Sequence, residues 1–407
     1  MPVDGHGDEV LTRLDVTNWI KRVVGAAALL ALVGCASVPR IAFIKTDEST
    51  AIIPGIPGAR MWADQSAALN PAQAQHVLSS KWHGPFTMLA LSGGGADVAF
   101  GAGLLTGWSE TGRRPEFAVV TGTSAGALVA PFAFLGPAYD PVLKAVFTDG
   151  ETERLLQVNG LAAIFGSAIF KAEPLRQLVA KHVDESLLAA IAAEQRKGRR
   201  LFVVTTNLDA QRTVVWNMGV IAASGRPGAL ALFRDILVAS SSIPGVFPPV
   251  SVEVESGGRR FAEMHVDGGV TANVLVVPQS LLLSNIPAPG SGMRPRIYVI
   301  INDQLTPAFD LVEAATAPIV ERAFITAVKA NTRNSLIATQ DFTRRNDWEF
   351  NVAAIDPNYP GEAAISFKTT YMRKLFEYGY DKGHSPRVWH RDMPETPADG
   401  RPAAQRG

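Results

Sequence analysis

At 407 residues, 47% of them apolar, the chain is long enough for one large domain or two ordinary ones and can bury a sizeable core, which excludes global disorder. Lys plus Arg and Asp plus Glu each number 38, so a formal charge of zero offers no overall basic field for nucleic acid or anionic lipid. Seven scattered His without an HExxH pair or Cys/His cluster argue against a zinc site, and a single cysteine excludes an intrachain disulfide. No metal or organic cofactor is expected.

The first element in chain order is an apolar run of 11 residues, Val23 to Val33, behind Lys21-Arg22. It is too short to span a bilayer and suits the core of a signal peptide. Leu32-Val33-Gly34-Cys35 resembles a bacterial lipobox, in which small residues admit a peptidase that cuts before the Cys. The expectation is a lipoprotein-type signal over 1–35, with Cys35 lipidated and the protein tethered to a membrane of the cell envelope. Ala36, standing where an Asp often signals inner-membrane retention, favours the outer membrane. The alternative is a short core helix with a chance buried Cys. The first 20 residues depart from the usual basic leader, carrying Asp4, Asp8, Glu9 and Asp15.

Residues 36–84 hold Pro54-Gly55 and Pro57-Gly58 with little periodicity, and read as an extension that tethers and wraps the domain. From Pro85 the pattern changes. Phe86 to Leu91 is a short apolar strand ending in Ser92-Gly93-Gly94-Gly95, with a helix predicted over Ala99–Trp108. Phe117 to Val120 is a second buried strand, followed by Gly122-Thr123-Ser124-Ala125-Gly126 and an apolar helix to about Leu135. Further strands are predicted at Leu201–Thr206 and Arg296–Ile301, with helical stretches over Glu173–Lys197 and Phe309–Phe342. Continuous apolar strands alternating with helices predict an α/β fold of three layers, α/β/α, around a central, mainly parallel sheet. The catalytic domain is expected over 85–390, and the Pro/Ala/Asp/Gly-rich tail 391–407 is expected to be disordered.

Gly122 to Gly126 matches GxSxG. A nucleophile on a sharp strand-to-helix turn sits in strained backbone, and glycines two residues either side remove clashing side chains. The turn also aims the Ala125 amide and the helix N-terminus at a developing oxyanion. Gly93-Gly94-Gly95, between its own strand and helix, can form a concave nest of amide donors for an anion. No Gly-Lys-Ser/Thr follows, so a phosphate loop fails, and Val98 stands where GxGxxG needs glycine. Asp267-Gly268-Gly269 follows the strand-like Met264-His265-Val266; an Asp there can approach a serine because no side chain blocks it.

The order of these elements (glycine nest, GxSxG, Asp-Gly-Gly) resembles the patatin-like phospholipase family over roughly Gly84 to His384. Ala239 to Pro249 is similar to the family's segment ahead of the acid, and Asn273 sits where the family often has Asn. The resemblance implies a Ser–Asp dyad: Ser124 as nucleophile, Asp267 as base, and the amides of Gly94, Gly95 and Ala96 as oxyanion donors beside Ala125. It implies hydrolysis of lipid or phospholipid acyl esters through an acyl-enzyme. Asp97 and Val98 depart from the family, which usually has a basic residue and then a glycine there. Two other readings follow: a weak or inactive patatin fold that binds envelope lipid, or an acyltransferase. A Ser-His-Asp triad would need His265 or His384, and Asp209 is a rival acid. Val214 to Gly219 reads as a packing hairpin before an acyl-pocket wall. Leu161 to Phe170 reads as a buried helix or a flap over the acyl chain.

Overall fold

The computed structural model describes residues 40–64, 82–156, 168–277, 282, 294–361 and 366–393. Cys35 and its signal segment, residues 161–167 of the expected flap and 394–407 of the expected tail lie outside the described residues.

The elements run in chain order as α1 (Lys45–Thr50), β1 (Arg60–Trp62), β2 (Thr87–Leu91), α2 (Val98–Glu110), β3 (Val119–Thr123), α3 (Ala125–Leu135), α4 (Asp140–Thr148), α5 (Glu173–His182), α6 (Glu185–Arg196), β4 (Arg200–Asn207), β5 (Arg212–Asn217), α7 (Met218–Ala223), α8 (Ala229–Ser240), β6 (Val250–Ser256), β7 (Arg259–Asp267), β8 (Arg296–Gln304), α9 (Thr316–Arg345), β9 (Glu349–Ile355) and α10 (Thr369–His384). The sheet is ordered β1-β5-β4-β3-β2-β8-β9, and β7 also pairs β4 and carries β6. The five strands β4-β3-β2-β8-β9 are mutually parallel. An antiparallel group, β5, β1, β7 and β6, extends them on one side.

Parallel strands need cover on both faces, and the side chains alternate accordingly. Leu89 and Leu91 of β2 and Tyr298 and Ile300 of β8 enter one core, under α2, α3, α8 and α10. Met88 and Ala90, with Ile297, Val299 and Ile301, enter the other, which includes Leu336 and Phe342 of α9. The result is a three-layer α/β/α fold around a mainly parallel sheet. The first core is closed by a tight crossing of α2 and α10: a Cβ at Gly103 would lie 2.0 Å from the Phe376 carbonyl oxygen, and one at Gly379 2.1 Å from that of Phe100.

Three expectations shift. The stretch Glu173–Lys197 is two helices, because Val183 turns extended and Asp184 caps α6, its side chain accepting from the Leu187 amide. The helix expected from Phe309 starts at Thr316. Pro318 falls in its first turn, where the missing N–H costs nothing; a start at 309 would place that proline inside the helix. Within 36–84, β1 is a true edge strand, Arg60–Trp62 pairing with Val214–Trp216. The hairpin β6–β7 was not among the expected elements, although Val250, Val252 and Val254 alternate with Ser251, Glu253 and Glu255 ahead of Gly257-Gly258; both glycines are at positive φ and make its turn.

Candidate active site

Ser124 sits at φ 54°, ψ −133°, between the last residue of β3 and the first of α3. A non-glycine residue held there is strained, and the surroundings must hold it. They do so through the chain ends of α8. The Ser124 amide donates to Ser240 Oγ at 2.9 Å, and that hydroxyl donates in turn to the Val204 carbonyl at 2.7 Å. Ser241 Oγ donates to the Ser124 carbonyl at 3.1 Å. The glycines of the motif are closely packed: a Cβ on Gly122 would lie 2.7 Å from the Gly126 carbonyl oxygen, and one on Gly126 2.4 Å from that of Ser92.

The strand register brings Asp267 to this serine. β3 lies along one edge of β4 and ends with Thr123 opposite Val204. The next residue of β4, Thr205, pairs with Asp267, because β7 runs antiparallel along the same edge from the other end. The C-terminal ends of β3 and β7 therefore meet. Ser124 Oγ donates to Asp267 Oδ2 at 2.6 Å, while the other carboxylate oxygen accepts from the Gly269 amide at 2.7 Å. Both residues are buried. Burial pushes the Asp267 carboxyl up to about 7, against the two hydrogen bonds that favour its charged form. Gly268 is needed because a Cβ there would lie 2.5 Å from the Val204 carbonyl oxygen and 2.9 Å from Thr123 Cγ2.

The glycine nest lies against the same serine. The Gly93 amide is spent on the Asn273 carbonyl at 3.0 Å. A Cβ on Gly93 would meet Asn273 Oδ1 at 2.4 Å and Ser124 Cβ at 2.8 Å. Gly95, Ala96 and Asp97 form one turn of 3₁₀ helix leading into α2. As the first residues of that turn, Gly95 and Ala96 have amides without a carbonyl one turn back to receive them. Ala125 is likewise the first residue of α3. These donors belong to two helix starts, where the backbone favours negative charge.

Sequence reasoning missed the brace behind the nest. Asn302, buried at the end of β8, donates from Nδ2 to the Ser92 carbonyl at 2.9 Å and accepts from the Gly101 amide at 3.1 Å. Its backbone carbonyl lies 2.1 Å from where a Gly94 Cβ would stand. The available signal was a polar residue directly after the apolar run Ile297–Ile301. Ser240 and Ser241 were inside a segment already singled out, but nothing in it told which hydroxyl faced Ser124.

Asp97 turns toward α10, where Tyr371 donates its hydroxyl to Asp97 Oδ1 at 2.6 Å. Burial, with Asp303 nearby, pushes Asp97 up to about 7; the Tyr371 bond and Lys329 act against this. Val98 begins α2 and is buried.

Both candidate histidines are committed elsewhere. His265 shares a strand face with Asp267, but its Nδ1 is 3.0 Å from Thr205 Oγ1 and its Nε2 3.2 Å from Glu263 Oε2. Burial pushes its pKa down, partly offset by Glu263. His384 contacts Tyr380 and Glu110, the last residue of α2, while the nest lies at the first; 13 residues of helix make this about 20 Å. Asp209 is held by Arg40 at 2.8 and 2.6 Å and by the Met264 amide at 2.9 Å. Trp216 is fully buried, its Nε1 donating to Thr205 Oγ1 at 2.7 Å, so the Val214–Gly219 stretch packs instead of opening to a ligand. The described end of the expected flap, 168–170, pairs by Ile169 and Phe170 amides with Gly245 and Val246.

Residues 89–278 match the family model of patatin-like phospholipases. No curated protein sequence matches the chain. Solved structures to which it is similar include VipD from Legionella pneumophila, with 14% identity over 74% of this chain and 66% of that one (TM-score 0.32). Another is the type III effector protein ExoU, with 12% identity over 74% of this chain and 53% of that one (TM-score 0.26). The chain thus spans less than two thirds of the length of either. The matched segment contains the nest, the GxSxG turn and Asp267-Gly268-Gly269, and the chain therefore carries a patatin-like phospholipase domain.

Proposed function

We propose that the protein is a lipid acyl hydrolase that works through a Ser124–Asp267 dyad and an acyl-enzyme. The observation that carries this reading is the 2.6 Å hydrogen bond from a strained, buried serine hydroxyl to a buried carboxylate. Both criteria for nucleophile and base, reach and a shifted pKa, are met at one place. As Ser124 Oγ attacks an ester carbonyl, Asp267 takes its proton. The amides of Gly94, Gly95, Ala96 and Ala125 hold the oxyanion, and the proton passes to the leaving alcohol. Water then attacks the acyl-enzyme with Asp267 again as base. Serine-to-carboxylate transfer is uphill in water, and a carboxyl raised to about 7 narrows the gap. Each oxyanion donor contributes on the order of 3 kcal/mol to the transition state.

The patatin-like domain implies a lipid substrate, with phospholipids the first candidate. A lipidated Cys35 would hold the domain at the cell envelope, preferably the outer membrane, beside such a substrate. A fluorophosphonate probe tests the chemistry: wild-type protein labels and Ser124→Ala does not. Absence of labelling on folded wild-type protein would reject the hydrolase in favour of a lipid-binding role. Metabolic labelling with an alkyne fatty acid, lost in Cys35→Ser, tests the anchor.

A further inference from the structure

We infer that the loop between β8 and α9, together with the first turns of α9, is a membrane-docking surface that inserts apolar side chains into a zwitterionic bilayer at the end of the molecule that carries Ser124. This inference rests on the lipid-hydrolase reading for its choice of partner.

The position follows from topology. β2, β3 and β8 are parallel, so the segments leaving their C-terminal ends emerge on one side of the sheet. β2 delivers the glycine nest there, β3 delivers Ser124, and β8 delivers this loop. The helix that follows is bolted to the same site. Thr332 Oγ1 accepts from Asn273 Nδ2 at 2.9 Å, and Asn273 is the residue whose carbonyl holds the Gly93 amide. Asn331 Nδ2 reaches the Thr271 carbonyl at 3.2 Å, four residues past Asp267. The loop lies along the helix, tied by Arg322 to the Ala308 carbonyl and by Arg333 to that of Leu305 at 2.9 Å.

What this rigid platform displays is apolar. Phe309 and Leu311 are 97% and 88% exposed, the two most exposed large apolar side chains among the described residues. Ile319 and Val320, on the first turns of α9, are 52% and 61% exposed, and Val312, directly after Leu311, is exposed as well. Val270, three residues past Asp267, is also exposed. A cluster of this kind on one end of a soluble fold marks an interaction site. Charge selects the occupant. From Pro307 to Arg322 the ionic residues are Asp310, Glu313, Glu321 and Arg322, three acids against one base. Such a rim is repelled by an anionic bilayer and has no basic cluster to recruit one. Docking therefore relies on transfer of apolar side chains, which a zwitterionic surface accepts. No helix among the described residues is long and apolar enough to cross a membrane, so α9 would rest at the interface.

The test uses the full chain as Ser124→Ala, so that vesicles stay intact, with Cys35→Ala so that no acyl anchor masks docking. Co-sedimentation with phosphatidylcholine vesicles is compared with Phe309→Asp/Leu311→Asp, and the fraction bound is expected to fall about tenfold. A solvatochromic dye on Leu311→Cys in the same background should shift to the blue on the vesicles. In the Ser124 protein, the Asp pair should lower hydrolysis of vesicle lipid and spare a soluble short-chain ester. Equal sedimentation of both proteins, no dye shift, or binding only when anionic lipid is added overturns the inference. So does wild-type self-association that the Asp pair abolishes without changing vesicle binding, which would assign the patch to a second copy of the chain. Loss of all esterase activity with docking intact would overturn the catalytic reading instead.

Discussion

Asp267 occupies the rung of β4 next to the one occupied by Thr123, so the residue after Thr123 meets its carboxylate at 2.6 Å. Two strands approach along one edge of β4 from opposite directions and stop head to head. The pairing of residues 143 positions apart is thus a consequence of register, with no long side chain or loop excursion needed. A slip of one residue in β7 would turn the Asp267 side chain to the other face.

Ser240 is the first place to test that arrangement. Its hydroxyl accepts from the Ser124 amide and donates to the Val204 carbonyl. Ser240→Ala leaves both buried groups unsatisfied and should cost about 1–3 kcal/mol. Because the strained φ of Ser124 loses a support, kcat should fall about tenfold or more with KM for a soluble ester little changed. Urea unfolding and steady-state kinetics check the two parts. Wild-type kcat in the variant would show that Ser240 does not position Ser124.

The raised carboxyl of Asp267 has two consequences of opposite sense. The rate should climb with pH through about 7, since only the charged form takes a proton, and Asp267→Asn should lower it by about 10³. Stability goes the other way. A folded pKa above the unfolded value of about 3.9 means that stabilisation is full below pH 4 and is lost as pH rises through about 7. Asp267→Asn should therefore be the more stable protein at pH 8, by up to about 4 kcal/mol, with the difference shrinking toward pH 4. Unfolding curves at the two pH values measure this. A variant less stable than wild type at pH 8 would contradict the burial argument.

Gly93 separates the nest from the serine by backbone alone. In Gly93→Ala the new methyl meets Asn273 Oδ1 and Ser124 Cβ well inside van der Waals contact. One or both must move, at about 1–3 kcal/mol of overpacking, and fluorophosphonate labelling should slow by at least about a hundredfold. Thermal unfolding and labelling rates on the same sample separate loss of fold from loss of geometry.

The two histidines should differ in stability and agree in chemistry. His265→Ala empties a buried position between Thr205, Glu263 and Trp216, and should destabilise by about 2–4 kcal/mol. His384→Ala, at the exposed end of α10, should do little. Neither should reduce labelling of folded protein by more than about threefold. A collapse like that of Ser124→Ala at either position would restore a Ser-His-Asp triad.

Local pattern carried far in this chain. Runs of apolar residues ending in glycine or GxSxG announced β2, β3 and their helices, because a buried parallel strand needs an unbroken apolar stretch and a tight turn needs residues without side chains. Ser124 and the nest stand in those turns, and the roles expected of Ser124, Asp267 and the nest amides are what the resemblance of the three motifs, taken in order, to patatin-like phospholipases implies. Three things only the tertiary structure decided. Whether Asp267, His265 or Asp209 faced the serine depended on β7 pairing antiparallel with β4, which no local residue encodes. The supports from Asn302, Ser240 and Ser241 arise where separate elements cross, and a lone polar residue in an apolar run does not say what it will touch. The turn of Asp97 toward Tyr371, 274 positions away, likewise depends on α10 lying across α2. Sequence periodicity reports which face of an element is apolar; burial and hydrogen bonding across elements then determine which polar groups meet.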